Sequence, residues 1–453
     1  MSTILKEKKL NNAKALRNYN NIPFAPKKFP FFYGWMILVF SAIGTFMSMP
    51  GQTMGVSAFT EHLIKSLGIS RSDLALAYMF GTLASSFILP YAGKIFDKAG
   101  ARVMATTASI GMGCALIMLS FSDELATEMT TTGIIVMMFF GFLMLRFWGQ
   151  GVLTLACRNM LMKWFDRKRG LVTGFSGPIT SLVFSLTPVL LNELIKLWGW
   201  QTAWLILGIV AIFGFSLIAL VFFRDNPEDC GLLPDGKTPK KCEEQEKAAA
   251  NIRQYTVSEA RRTLPFWVIG LSLALAGLYF TAMPFHVVSI FKQAGMEKGT
   301  ALRIFFFGSC ISVPMSIFYG YIADKINIKY LLAVFLMGVI INSISVAFLS
   351  PGLTYITLIF GMGLSGGLFG ILANVPFPRF YGKQHLGAIN GFIMSMMVFS
   401  SAIGPWFFSK TFEYSGNYRY AALTCSVLAL VLLAYSFRIK NPQMTESYTN
   451  KRP

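Results

Sequence analysis

Of 453 residues, 54% are hydrophobic and only 13% are charged, about half the charged share of an ordinary soluble domain. A chain of this size cannot hide that much apolar sequence in a water-soluble core, so a soluble globule is excluded. The formal charge of +19 gathers in the tails and alternate loops, a pattern that orients membrane helices and gives no reason to expect a nucleic-acid partner.

The first 30 residues carry Lys6, Lys8, Lys9, Lys14, Arg17, Lys27 and Lys28 but no apolar run, and read as a cytoplasmic tail rather than a cleaved signal. Apolar windows of about 20 residues follow, each enough to cross a hydrocarbon core as helix. They fall at 33–58, 74–95, 103–121, 132–157, 170–192, 200–222, 264–290, 300–322, 329–349, 353–377, 386–409 and 418–437. Barrel strands would alternate apolar and polar over about ten residues, and these windows are apolar on all sides. The expected class is an all-α polytopic membrane protein with twelve spans. A polar stretch at 224–262, "RDNPEDCGLLPDGKTPKKCEEQEK" and its flanks, reads as a cytoplasmic linker between six-span bundles at 31–223 and 263–438. Residues 439–453 are a second cytoplasmic tail, and the charge bias puts both termini inside an inner (plasma) membrane. The chain is expected to work as a monomer.

Equal halves prompt a search for repeats. "GKIFDKAGAR" (93–102) wedges Lys94, Asp97, Lys98 and Arg102 between two apolar runs, and "GYIADKINIKY" (320–330) repeats the order with Gly320, Asp324, Lys325 and Lys329. Gly93 and Asp97 thus recur as Gly320 and Asp324 after about 227 residues. "GQGVLTLACRNMLMKWF" (149–165) and "GLSGGLFGILANVPFPRF" (363–380) align Gly151, Asn159 and Phe165 with Gly366, Asn374 and Phe380. Six crossings return the chain to its starting side, so the repeats are parallel.

The first turn is similar to the signature G-x-x-x-D-[RK]-x-G-[RK]-[RK] of the major facilitator superfamily, with Ala101 at one basic position. "GYIADKINIK" resembles its degenerate partner, and "LRFWGQG" (145–151) resembles R-x-x-Q-G with one residue inserted. "KWFDRKRGLVTGFSGP" (163–178) and "GKQHLGAINGF" (382–392) look most like the monocarboxylate and oxalate:formate antiporter branch. The resemblance implies alternating access, with Gly93, Asp97, Lys98, Arg102, Gly320, Asp324 and Lys325 forming gates that latch the cytoplasmic face. In physical terms, the glycines let helix ends approach, and each carboxylate accepts hydrogen bonds from a neighbouring helix end or pairs with Arg and Lys. A solvated turn that merely follows the charge bias is the simpler alternative.

In such a protein the solute binds between the halves. The first span offers Gln52 beside the break "MPGQT", where Pro50 removes a backbone donor. The fourth carries Arg146 with Gln150 and Thr154 each one turn on. A charge at that depth costs roughly 2.5–3.5 kcal/mol on insertion scales, which suggests a purpose, either solute binding or bonding to nearby carbonyls. Tyr279, His286, Arg303 and Asn374 complete the candidates; His286 could equally be a surface histidine and Arg303 could snorkel to the interface.

No Asp or Glu falls inside any window, so a cavity holding cations alone favours an anion. The antiporter branch has an arginine where Ser316 stands and a lysine where Val398 stands, which argues against oxalate and leaves monocarboxylates or other small organic anions. Cys114, Cys157, Cys230, Cys242, Cys310 and Cys425 form no CxxC pair, so free thiols, no metal and no cofactor are expected. The expected function is secondary transport of a small organic anion. The alternatives are an exporter of amphipathic compounds and a non-transporting receptor or assembly partner. No nucleophile with its base is evident, so an enzyme is not expected.

Overall fold

The computed structural model describes residues 21–236 and 253–443. The expectations for the first 20 residues, Cys242 and the last ten residues therefore lie outside the described residues. Helix α1 (Gly34–Met47) stops at Pro50, which has no N–H to continue it, and Gln52 takes an extended conformation (φ −89°, ψ 160°) before a short turn, Thr53–Ser57. Helix α2 (Thr60–Leu67) ends on Gly68 in the left-handed region. Helix α3 (Arg71–Ser120) starts where the Ser70 hydroxyl accepts from the Asp73 N–H at 3.1 Å.

Two long helices each hold two spans. In α3, Gly100 (φ 81°, ψ 174°) turns the chain between the second and third windows. In α5 (Arg169–Ile209), Gly199 (φ 79°) does the same, and the chain continues through a π-turn, Val210–Phe215, into α6 (Ser216–Phe222). Between them lies α4 (Thr131–Trp164), whose middle is a π-helical stretch, Arg146–Leu153. The second half is more regular: α7 (Leu264–Gln293), α8 (Lys298–Ala323), α9 (Ile328–Ala347), α10 (Leu353–Asn374), α11 (Leu386–Ser415) and α12 (Arg419–Ser436). Twelve membrane-spanning segments in two six-helix bundles result, as the windows imply. Their outward faces keep large apolar side chains exposed, Phe87, Phe213 and Phe306 among them, which suits lipid rather than water.

The halves meet along two seams, α3 against α11 and α5 against α8. The described parts of the linker and of the amino-terminal segment lie on one end of the bundles, here termed the linker face. There Asp235 accepts from the N–H groups of Asp166 (3.2 Å), Arg167 (2.9 Å) and Lys168 (3.4 Å). In the other half, Gln254 Oε1 accepts from Lys383 N (2.9 Å) and Gln384 N (3.0 Å). The linker thus pins the equivalent α4–α5 and α10–α11 connections, satisfying donors that a tight loop would leave open.

Candidate solute site and gate

At the linker face each half supplies one carboxylate to the other. Asp97 accepts from Gly387 N (2.7 Å) and Ala388 N (2.8 Å), at the start of α11. Asp324 accepts from Gly170 N (2.8 Å) and Leu171 N (3.1 Å), at the start of α5. An anion at a helix N-terminus satisfies free N–H groups and opposes the helix dipole. The two carboxylates form a pseudo-symmetric pair of staples that hold the seams closed.

Glycine makes the closure possible. A Cβ on Gly93 would lie 2.2 Å from Gly387 O, and one on Gly320 would lie 2.5 Å from Gly170 O and 2.8 Å from Gly174 Cα. Ser316 adds a bond across the second seam, its hydroxyl donating to Gly174 O at 3.2 Å.

The basic residues of the two turns do other work. Lys98 is exposed, and Lys325 donates to the Tyr321 hydroxyl on its own helix. Arg102 donates to Leu220 O and, from Nη2, to Ile22 O at 2.7 Å, so it ties the amino-terminal segment to the first half. Hydrogen bonding to helix ends, rather than pairing with these cations, carries the closure.

A third contact between the halves runs from Lys383 Nζ to Lys163 O (3.1 Å). Burial, helped by the nearby Arg169 charge, lowers the Lys383 pKa from 10.5 to about 8, while Asp166, Glu228 and Asp235 oppose the shift. The folded state therefore resists protonating this amine more than the unfolded chain does. That penalty is complete below pH 8 and fades as pH rises from 8 towards 10.5. Thermal unfolding of wild type and Lys383→Gln in detergent checks the sign: the difference in Tm should move in favour of wild type across that window.

Just above the closed seams, a cavity of ≈ 20 Å³ lies between the bundles, lined by Leu155, Arg158, Asn159, Asn374, Asn390 and Met394 among others. Asn390 Nδ2 donates to Asn159 Oδ1 at 2.5 Å, and Asn374 Nδ2 donates to Gly370 O at 2.7 Å. Among the described residues, Asn159 Nδ2, Asn374 Oδ1 and Asn390 Oδ1 are buried without a partner, and all three belong to this one cavity. Buried polar groups are nearly always satisfied, so such a cluster marks a place built to receive something polar. Arg158 also lines the cavity, half-buried, and among the described residues no hydrogen bond or ion pair engages its guanidinium. Among the described residues no acidic side chain lines the cavity.

Arg146, the arginine that the sequence singles out, lies away from this cavity, and Arg158 stands in its place. Arg146 is 2% exposed, donates from Nη1 to Gly51 O (3.1 Å) and Thr53 Oγ1 (3.4 Å), and stacks 5.2 Å over the Tyr78 ring. It caps the carbonyl freed at the break in the first span. Arg146→Leu should therefore destabilise the fold by roughly 1.5–3 kcal/mol, the usual worth of a charged hydrogen bond, as read by thermal unfolding. The KM of whatever solute is carried should be nearly unchanged.

The remaining candidates divide in the same way. Gln52 Nε2 lies 3.4 Å from both Ser48 Oγ and Thr154 Oγ1, inside the first half, and Gln150 Oε1 is buried without a partner among the described residues. Tyr279 donates to Asn342 Oδ1 (2.8 Å) within the second half. His286 is 9% exposed rather than on the surface, with Nε2 3.0 Å from Pro405 O and Nδ1 3.4 Å from the Tyr418 hydroxyl, again within one half. Arg303 is exposed on α8. Of the residues chosen from sequence, only Asn374 reaches the cavity.

Two bundles of six helices, stapled at one face beside a small cavity between them, define the architecture of a polytopic membrane transport protein. The chain belongs to the Major Facilitator Superfamily, whose family model matches residues 41–405. It is 22% identical over 405 residues to the membrane sensor protein UhpC of Salmonella typhimurium, covering 84% of this chain and 86% of that one. It is also 22% identical over 444 residues to monocarboxylate transporter 4 of Gallus gallus, covering 92% and 86%. Among solved structures, the proton:xylose symporter XylE bound to 6-bromo-6-deoxy-D-glucose matches with a TM-score of 0.68 at 15% identity, over 92% of this chain and 99% of that one. The human organic anion transporter MFSD10 matches at 0.58 and 13% identity, over 89% and 99%.

Proposed function

We propose that this protein is a secondary transporter of the plasma membrane that moves a small organic anion, such as a monocarboxylate, by alternating access. The observation that carries the reading is Arg158: a guanidinium without a counter-ion, in a cavity between the halves that holds no acid. A desolvated positive charge attracts a carboxylate strongly and a cation not at all. Monocarboxylate transporters among the relatives, from chicken and mouse, support the same solute class.

Arg158 precedes the end of α4 by six residues, about 9 Å of helix, so the cavity sits nearer the staples than the membrane middle. In this reading the linker face is cytoplasmic, and the anion sits at Arg158 when the cavity widens as the gate opens. Rocking the halves apart takes Asp97 and Asp324 off the helix ends and widens the cavity towards that face. Binding an anion neutralises Arg158, which lowers the cost of closing the cavity around it.

Purified protein in vesicles should accumulate or exchange labelled small monocarboxylates and leave lipophilic cations behind. Similarity to a membrane sensor protein favours one second reading, a receptor with a transporter fold. Anion binding with no flux in either direction would select it.

A further inference from the structure

The unsatisfied groups around the cavity include acceptors as well as donors. The Asn374 amide nitrogen donates to a backbone carbonyl, so its oxygen is the free end. The Asn159–Asn390 bond leaves one amide nitrogen and one amide oxygen free, and reversing both amides leaves the same pair. Arg158 adds only donors. The cavity therefore offers donors for a carboxylate and two amide oxygens that need a donor in return. A volume of ≈ 20 Å³ admits one water, which can serve those oxygens while the site is empty.

We infer that the solute is a hydroxylated small organic anion whose hydroxyl donates to Asn374 Oδ1 or to the free oxygen of the Asn159–Asn390 pair while its carboxylate faces Arg158. This rests on the anion reading above and narrows it. An unsubstituted acid would set a methyl or methylene group against two buried acceptors and displace their water without replacing its bonds. An ammonium group could donate too, but the solute carboxylate is already matched by Arg158, and among the described residues no acidic side chain lines the cavity to balance a second positive charge. The hydroxyl is the neutral donor that fits.

The test compares matched pairs in vesicles holding the purified protein: glycolate against acetate, and 3-hydroxypropionate against propionate. A site built around a hydroxyl rejects the analogue lacking it, so kcat/KM for the better hydroxylated member should exceed its partner's by at least about tenfold. Asn374→Leu and Asn390→Ala, tested separately, should lower kcat/KM for the hydroxylated member more than for the unsubstituted acid, so that the ratio between them falls towards one. The wild-type comparison stands by itself if a variant does not fold. Equal handling of both members by wild type, with Arg158→Gln still abolishing uptake, overturns the hydroxyl inference and spares the anion reading. Failure of wild type to carry any of the four acids, or uptake indifferent to Arg158→Gln, overturns both.

Discussion

Arg158→Gln is expected to reduce anion uptake by about 30-fold to several thousand-fold, the effect of truncating one partner of a buried, hydrogen-bonded charge pair at roughly 2–5 kcal/mol. The protein should still fold, because the guanidinium makes no internal bond among the described residues and its loss leaves none unpaired. Initial rates in vesicles, with unfolding temperature measured on the same preparation, separate the two effects. Arg158→Lys should recover part of the activity, since the charge returns without the planar fork that engages a carboxylate at two points. Arg146→Leu should show the reverse pattern, with lower stability and an intact KM, and the contrast between the two arginines is itself diagnostic.

The second large effect is steric. Gly93→Val puts a branched side chain where even a single Cβ would lie 2.2 Å from Gly387 O, and backbone at a helix start has no room to yield. Closure at the linker face should fail, and under the proposed alternating access, in which the closing step completes every cycle, turnover should fall by at least about tenfold. Gly320→Val meets Gly170 O and Gly174 Cα and should behave alike. A cysteine placed at Ala388 in a cysteine-free background reports the cause: in Gly93→Val it should react faster with a maleimide from the linker side. Unchanged reactivity and unchanged turnover would remove the seam from the transport cycle. Asp97→Asn should be milder, since one amide oxygen can still accept from Gly387 or Ala388 without the charge.

Much of the fold was legible because lipid imposes a length: a span needs about 20 apolar residues, and the windows satisfy it one after another. The windows do not show that Gly100 and Gly199 let helices run almost unbroken through a turn, because a positive φ leaves no hydropathy signature. The staples were half legible. Repetition of Gly and Asp marks the two turns, but their partners at Gly387 and Gly170 lie some 290 and 154 residues away in sequence and become visible only once the bundles pack.

The site was less legible for a simple reason of boundaries. Arg158 falls one residue past the window at 132–157, so hydropathy alone does not mark it as an intramembrane charge. A signal was present: the ladder Arg146, Gln150, Thr154 continues with Arg158 at the next step of four. Each such step drifts by about 40°, so Arg146 and Arg158 point roughly 120° apart on an ideal helix, and the π-helical stretch between them changes the angle again. One arginine therefore meets the first span while the other meets the second half. Asn159 and Asn374 were found as repeat markers; that both line one cavity is the structural meaning of the match.

The most direct measurement is a cryo-EM map of the protein saturated with a small monocarboxylate. Density for the anion bridging Arg158 and the Asn374–Asn390 side of the cavity is the expected result. An anion seated beside Arg146, or anywhere away from the interface of the two bundles, would contradict it.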